Sequence, residues 1–285
     1  MSTLPRLNGI IAAIEKGRPA LVSFAKPEIE EAIALGTSKY DGLMFEMEHG
    51  PWDGRALRNT LQYLLNRKQI AQSGSIAPAV TPLVRIPPNG SEMNQWVAKQ
   101  ALDVGVYGII WPHISTVEQA MNAVAACRYP RPQGAPRYEP AGLRGDGPTN
   151  ACRYWGLSQQ EYYAKADVWP LDPAGEIFVI LMIEDVTGIK NLDDILKNVP
   201  GIGCVLIGEG DLSQELGVAR QYDHPLVRDA MAEVVARCKA HKVTVGHPHV
   251  NAGNVQRLID EGYGYLAMMA PRSFATLEKA ISLVG

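Results

Sequence analysis

IFVILMIEDVTGIKNLDDILKNVPGIGCVLIGEGD, residues 177–211, is the stretch whose reading decides the fold. An apolar run, IFVILMI, ends abruptly in Glu184-Asp185, a helical pattern follows, and a second apolar run, CVLI, ends in Gly208-Glu209-Gly210-Asp211. Continuous apolar runs, rather than strict alternation, mark strands covered on both faces, as in a parallel sheet. The same unit recurs on either side: ALVSFA (20–25), GLMFEME (42–48), PLVRIP (82–87), VYGIIWP (106–112), VTVGHPH (243–249) and YGYLAMMA (263–270). Helical patterns such as GRALRNTLQYLLNRK (54–68) and TVEQAMNAVAACR (116–128) fall between them. Eight strand–helix units make a closed (β/α)8 barrel of the TIM type, one domain over residues 1–285, the economical arrangement. An open doubly wound sheet is the rival.

The 285 residues are 46% hydrophobic and 20% charged, with a formal net charge of −3. That balance suits an ordinary globular enzyme and lacks the basic stripe of a nucleic-acid binder. No apolar run reaches the 18 or so residues of a membrane span, and the N-terminus lacks a basic start followed by a long apolar core. Cys127, Cys152, Cys204 and Cys238 are widely spaced with no CxxC pair, which favours four reduced thiols and a cytoplasmic setting. Two insertions interrupt the pattern: 129–156, rich in Pro, Gly and Arg and read as a long loop after strand four, and 167–175 before strand five.

Polar residues crowd the strand ends. Strand two ends in Glu46-Met47-Glu48-His49, strand three carries Arg85, strand four ends near His113, strand five in Glu184-Asp185, and strand six in Gly208-Glu209-Gly210-Asp211. An ionised group in an apolar strand costs several kcal/mol unless paired or bound to metal. A barrel gathers those ends at one mouth, where catalytic groups collect. Glu184 and Asp211, on adjacent strands with no thiolate nearby, suit a hard cation such as Mg²⁺ or Mn²⁺. Asp185 suits a helix N-cap. Strand alternation sends His247 and His249 to opposite faces, which argues against an HxH metal pair and leaves His247 as a candidate for the mouth. Trp111 and Trp155 are candidates for the mouth as well.

These residues resemble the HpcH/HpaI family of class II pyruvate aldolases, within the phosphoenolpyruvate-utilising barrel superfamily. The resemblance runs in order through DGLMFEMEHGPWD (41–53), PLVRIPPNG (82–90), QALDVGVYGIIWPHISTVEQA (100–120), AGLRG (141–145), MIEDVTGIKNLDDIL (182–196) and GIGCVLIGEGDLSQELG (201–217). It implies a lyase that reversibly splits a 4-hydroxy-2-keto acid into pyruvate, or a similar 2-keto acid, and an aldehyde through an enolate. By the same resemblance Glu184 and Asp211 hold a divalent metal (Mg²⁺, Mn²⁺ or Co²⁺) and Arg85 holds the keto or enolate oxygen. His49 is the general base, oriented by Asp103, and the backbone amides of Gly210 and Asp211 receive the substrate carboxylate. Relatives assemble as hexamers with active sites near subunit contacts, so a homo-oligomer is implied.

The chain departs from the family pattern in two places at the site. GPADLS becomes Gly208-Glu209-Gly210-Asp211-Leu212-Ser213, and the glutamine two residues before the metal glutamate is Met182. The aldehyde partner therefore stays open, as does the rival of an oxaloacetate decarboxylase, citrate-type synthase or CoA-ester lyase. A Schiff-base aldolase needs a desolvated lysine, for which Lys26 and Lys242 are the candidates. A silent keto-acid binder is the remaining alternative.

Overall fold

The computed structural model describes residues 5–269 and 274–284. Among the described residues nine strands form, and each covers one of the expected apolar runs except the fifth: β1 Ala20–Ala25, β2 Gly42–Glu46, β3 Thr81–Arg85, β4 Gly108–Trp111, β5 Val168–Trp169, β6 Ile177–Ile183, β7 Cys204–Ile207, β8 Thr244–Val250 and β9 Tyr265–Met268. Ala270, the last residue of the final expected run, lies outside the described residues. Every pairing is parallel. β4 pairs directly with β6, so eight strands close into a ring and the two-residue β5 is a side branch on β6. The closed (β/α)8 barrel is therefore correct and the open sheet is not. All six residues of β1 and all seven of β6 are buried, as two-sided strands require.

The helices follow from local signals. Asp185 caps the helix Val186–Asn198, its carboxylate accepting from the Gly188 amide at 2.6 Å. That helix buries Ile189, Leu192, Ile195 and Leu196 against the barrel, a face worth roughly 1.5–3 kcal/mol per side chain. Thr116 and Gln119 form a capping box at the start of Val117–Ala126. The pattern over 54–68 splits into Gly54–Leu64 and Arg67–Ser73, because the Asn66 side chain accepts from the Gln69 amide and starts a second helix.

The first insertion sits elsewhere than its sequence position suggests. Helix Val117–Ala126 returns the chain from the mouth to the N-terminal ends of the strands, and the stretch 129–156 begins there. Part of it is helical, Thr149–Trp155, and Gln159–Lys165 follows. The buried Arg128 guanidinium ties it down, donating to Asp167 at 2.7 and 3.0 Å and to the carbonyls of Pro140 and Arg137 at 2.7 Å each. Trp155 stacks on Tyr107 with centroids 4.0 Å apart and donates to the Gly105 carbonyl at 2.8 Å. Both partners precede β4, so Trp155 lies at the end opposite the mouth. The expectation that it packs there is corrected.

Candidate active site

Glu46 and Arg85 are register partners across β2 and β3, which places their side chains side by side on one face. Arg85 Nε donates to Glu46 Oε2 at 2.6 Å, and its Nη1 stands 2.7 Å from Glu48 Oε2. The guanidinium also lies over the Phe24 ring, 5.6 Å from the centroid. A cation inside an apolar strand is thus balanced by two carboxylates. The Glu48 side chain is only 7% exposed, and burial pushes its carboxyl above the usual range despite Arg85 and His49 nearby. His49 ends the segment with a side chain 70% exposed and Nε2 3.4 Å from Glu48 Oε2.

Glu184, one residue past β6, is 2% exposed. Its Oε1 accepts from the His113 amide at 2.7 Å. Burial, opposed by His113 and reinforced by the charges of Glu48 and Asp211, raises its carboxyl to about 7. Gly208 makes room for it: a Cβ there would stand 2.1 Å from Glu184 Oε2. Asp211 is exposed in the first turn of the helix Glu209–Glu215, where N–H groups, including those of Gly210 and Asp211, have no intrahelical acceptor.

The raised Glu184 carboxyl has a defined consequence for stability. A carboxyl whose pKa is about 7 folded and 4.5 unfolded binds its proton more tightly in the folded chain. Cation-free stability therefore falls as pH rises from about 4.5 through about 7, by on the order of 3 kcal/mol. Thermal melts of the chelated protein at pH 5 and pH 8 should show this loss, and Glu184→Gln should remove most of it. An equal pH slope in both proteins would contradict the assignment.

The donors fit a divalent cation. Glu48, His113 and Glu184 each offer an atom within 4.8 Å of the others. Glu46, Glu48, Glu184 and Asp211 act on one another in this region, and the Arg85 guanidinium pairs with two of them, Glu46 and Glu48. Burial raises the carboxyls of two of them, Glu48 and Glu184, above the usual range, and a cation bound there would favour their ionised forms.

Some expected positions fall elsewhere. Asp103 lies in the last turn of helix Gln95–Val104, which carries the chain away from the mouth, and its carboxylate accepts from Arg144 Nη2 at 3.1 Å. Among the described residues no contact joins Asp103 to His49, so the orienting contact is not made within one chain. The two histidines of β8 do not diverge. Both approach the buried Glu209 carboxylate, His247 Nε2 at 3.5 Å and His249 Nδ1 in a short hydrogen bond. A bulge between His247 and Val250 against β9 adds a residue and breaks the alternation. Their cavity, about 590 Å³, lies between helices Pro225–His241 and Val255–Glu261, so His247 does not line the mouth. Lys26 has a 71% exposed side chain, the opposite of the desolvation a Schiff-base lysine needs.

Two members of the cluster, Glu48 and His113, stand out in the sequence as polar residues at strand ends and not as metal ligands. Glu48 was legible, because residues 46 and 48 share a face at a strand end. His113 was legible as a strand-end residue able to face the substrate, but its place between Glu48 and Glu184 was not, since its backbone is left-handed at φ 50°, which no residue pattern announces.

Comparison with known proteins follows the same lines. A sequence model of the HpcH/HpaI aldolase/citrate lyase family matches residues 24–268. A hydroxypyruvate/pyruvate aldolase of Roseobacter denitrificans is 29% identical over 234 residues, 82% of this chain and 79% of that protein. A 5-keto-4-deoxy-D-glucarate aldolase of Escherichia fergusonii is 29% identical over 82% of this chain and 78% of its own length. The crystal structure of an HpcH/HpaI aldolase/citrate lyase family protein from Burkholderia cenocepacia J2315 superposes with a TM-score of 0.74 at 26% identity, covering 97% of this chain and 98% of that one. With the family's pattern running through the barrel and its acidic strand ends meeting at one mouth, this chain belongs to the HpcH/HpaI aldolase/citrate lyase family.

Proposed function

We propose that this chain is a class II aldolase, a carbon–carbon lyase that reversibly cleaves a 4-hydroxy-2-keto acid into pyruvate, or a similar 2-keto acid, and an aldehyde. The observation that carries the reading is geometric: the buried Glu184 carboxylate lies with Glu48 and His113 at the mouth of the barrel, one ligand atom of each within 4.8 Å of the others. Glu184 and Asp211 would hold a divalent ion, Mg²⁺, Mn²⁺ or Co²⁺. When bound, that ion would act as a Lewis acid toward the keto oxygen of the acid.

The remaining chemistry belongs to the chain's own residues. Arg85, held between Glu46 and Glu48, donates to the keto oxygen and stabilises it as negative charge develops. The N–H groups of Gly210 and Asp211 receive the substrate carboxylate. His49 takes the proton of the 4-hydroxyl as the C3–C4 bond breaks, the bonding electrons enter the enolate, and the aldehyde leaves. Protonation of the enolate carbon then gives the 2-keto acid. In the other direction His49 removes the methyl proton of pyruvate. Asp103, at the far end of its helix, would orient the His49 of a second copy, in keeping with a homo-oligomer, a hexamer by family resemblance. Four free cysteines suit a cytoplasmic enzyme. No helix among the described residues is long and apolar enough to cross a membrane.

Exchange of the pyruvate methyl protons in D₂O tests the enolate step without knowledge of the aldehyde. EDTA should abolish exchange, and Mg²⁺, Mn²⁺ or Co²⁺ should restore it. Exchange indifferent to chelation would remove the reading.

A further inference from the structure

We infer that His113 is a nitrogen ligand of the site's cation, so that the metal sits in a mixed imidazole–carboxylate site selective for borderline ions over Mg²⁺. This rests on the cation reading above.

The first observation is spacing. His113 Nδ1 lies 3.7 Å from Glu184 Oε1, and Nε2 lies 3.9 Å from Glu48 Oε1. Both separations are too long for a hydrogen bond. Among the described residues the ring makes no hydrogen bond at all. Ligands held at about 2.1 Å from one ion stand roughly 3.0 Å apart at right angles and roughly 4.2 Å apart when opposed. The Nδ1–Glu184 separation falls inside that interval, and one ligand atom from each of His113, Glu184 and Glu48 lies within 4.8 Å of the others. An imidazole nitrogen that stands this far from a buried carboxylate oxygen, without a hydrogen bond between them, is spaced for an ion that both would ligate.

The second observation is the backbone. His113 has φ 50°, a conformation few non-glycine residues adopt and one that costs free energy. The surroundings enforce it. The Gly90 amide donates to the Pro112 carbonyl at 3.0 Å, the Ile114 amide donates to the Met182 carbonyl at 3.0 Å, and the His113 amide donates to Glu184 at 2.7 Å. Gly90 itself must lack a side chain, since a Cβ there would stand 2.7 Å from the His113 carbonyl oxygen. Two other segments, at Gly90 and at Met182–Glu184, thus hold one residue in a strained turn, and the outcome is a ring between Glu48 and Glu184. Its amide already fixes Glu184 Oε1, so ring and amide act on the same carboxylate.

The chemical consequence is selectivity. An all-oxygen site suits Mg²⁺, whereas an imidazole suits later first-row ions such as Co²⁺ and Zn²⁺ and raises their affinity over Mg²⁺.

Pulsed EPR of the full-length protein loaded with Mn²⁺ reads the ligand directly, because an imidazole nitrogen on the ion gives a resolved ¹⁴N coupling that changes on ¹⁵N-histidine labelling. The wild type should show it. His113→Asn, which tolerates the left-handed backbone, should bind Mn²⁺ at least about 10-fold more weakly and lack the coupling. Its ratio of Co²⁺ to Mg²⁺ affinity should fall at least about 10-fold. Mn²⁺ binding that depends on Glu184 but shows no nitrogen coupling would overturn the inference and leave the cation reading intact. A coupling that survives in His113→Asn would also overturn it, by assigning the nitrogen to another histidine. Binding unaffected by Glu184→Gln would remove the cation reading and this inference together.

Discussion

Replacing Glu184 by Gln is expected to lower pyruvate methyl exchange by at least about 10³-fold, with divalent-ion binding lost in the same variant. Lewis-acid stabilisation of a developing oxyanion is worth several kcal/mol, and about 4 kcal/mol corresponds to three orders of magnitude. Gln keeps the volume and can still accept from the His113 amide that now donates at 2.7 Å, so the fold should survive. It also removes the buried carboxyl that is raised to about 7, and the chelated variant should be as stable as the parent or more so. Isothermal titration with Mn²⁺, exchange in D₂O and thermal melts separate the outcomes. Full exchange with undiminished ion binding would exclude Glu184 as a ligand.

The second large effect is expected at Arg85. Arg85→Ala should reduce exchange by at least about 10²-fold, the size usual for loss of an oxyanion donor. It also leaves the carboxylates of Glu46 and Glu48 without their cation, so some loss of stability should accompany it. Arg85→Lys distinguishes the two effects. Lysine restores the charge near Glu46 and Glu48 but not the planar fork that reaches both at 2.6 and 2.7 Å. Stability should return while exchange stays low. His49→Ala should show a comparable loss of exchange with stability near wild type, because its side chain is 70% exposed. A Lys variant with normal exchange would reduce Arg85 to a structural counter-charge.

The fold was legible because its signal is local and repeated. Runs such as ALVSFA and IFVILMI need only be buried on both sides to declare a parallel sheet, and the helices between them carry their own caps at Thr116 and Asp185. The acidic strand ends were legible for a related reason, since charge at the end of an apolar strand is costly wherever the strand lies. The insertion was harder. Residues 129–156 follow strand four in the sequence, yet the intervening helix delivers them to the opposite end of the barrel, where Trp155 meets Tyr107. The histidines of β8 failed for a different cause, because strand alternation holds only while the ladder is regular and a bulge interrupts it.

By itself, the sequence determined the barrel, the helix start at Asp185 and which strand ends carry charge, because periodicity and capping act over a few neighbouring residues. Only the tertiary structure decided that Glu48 and His113 join Glu184, that Asp103 turns to Arg144, and that His247 and His249 converge on Glu209. Those outcomes depend on side chains from distant segments meeting, and on a left-handed residue and a strand bulge that long-range hydrogen bonding, rather than residue type, holds in place.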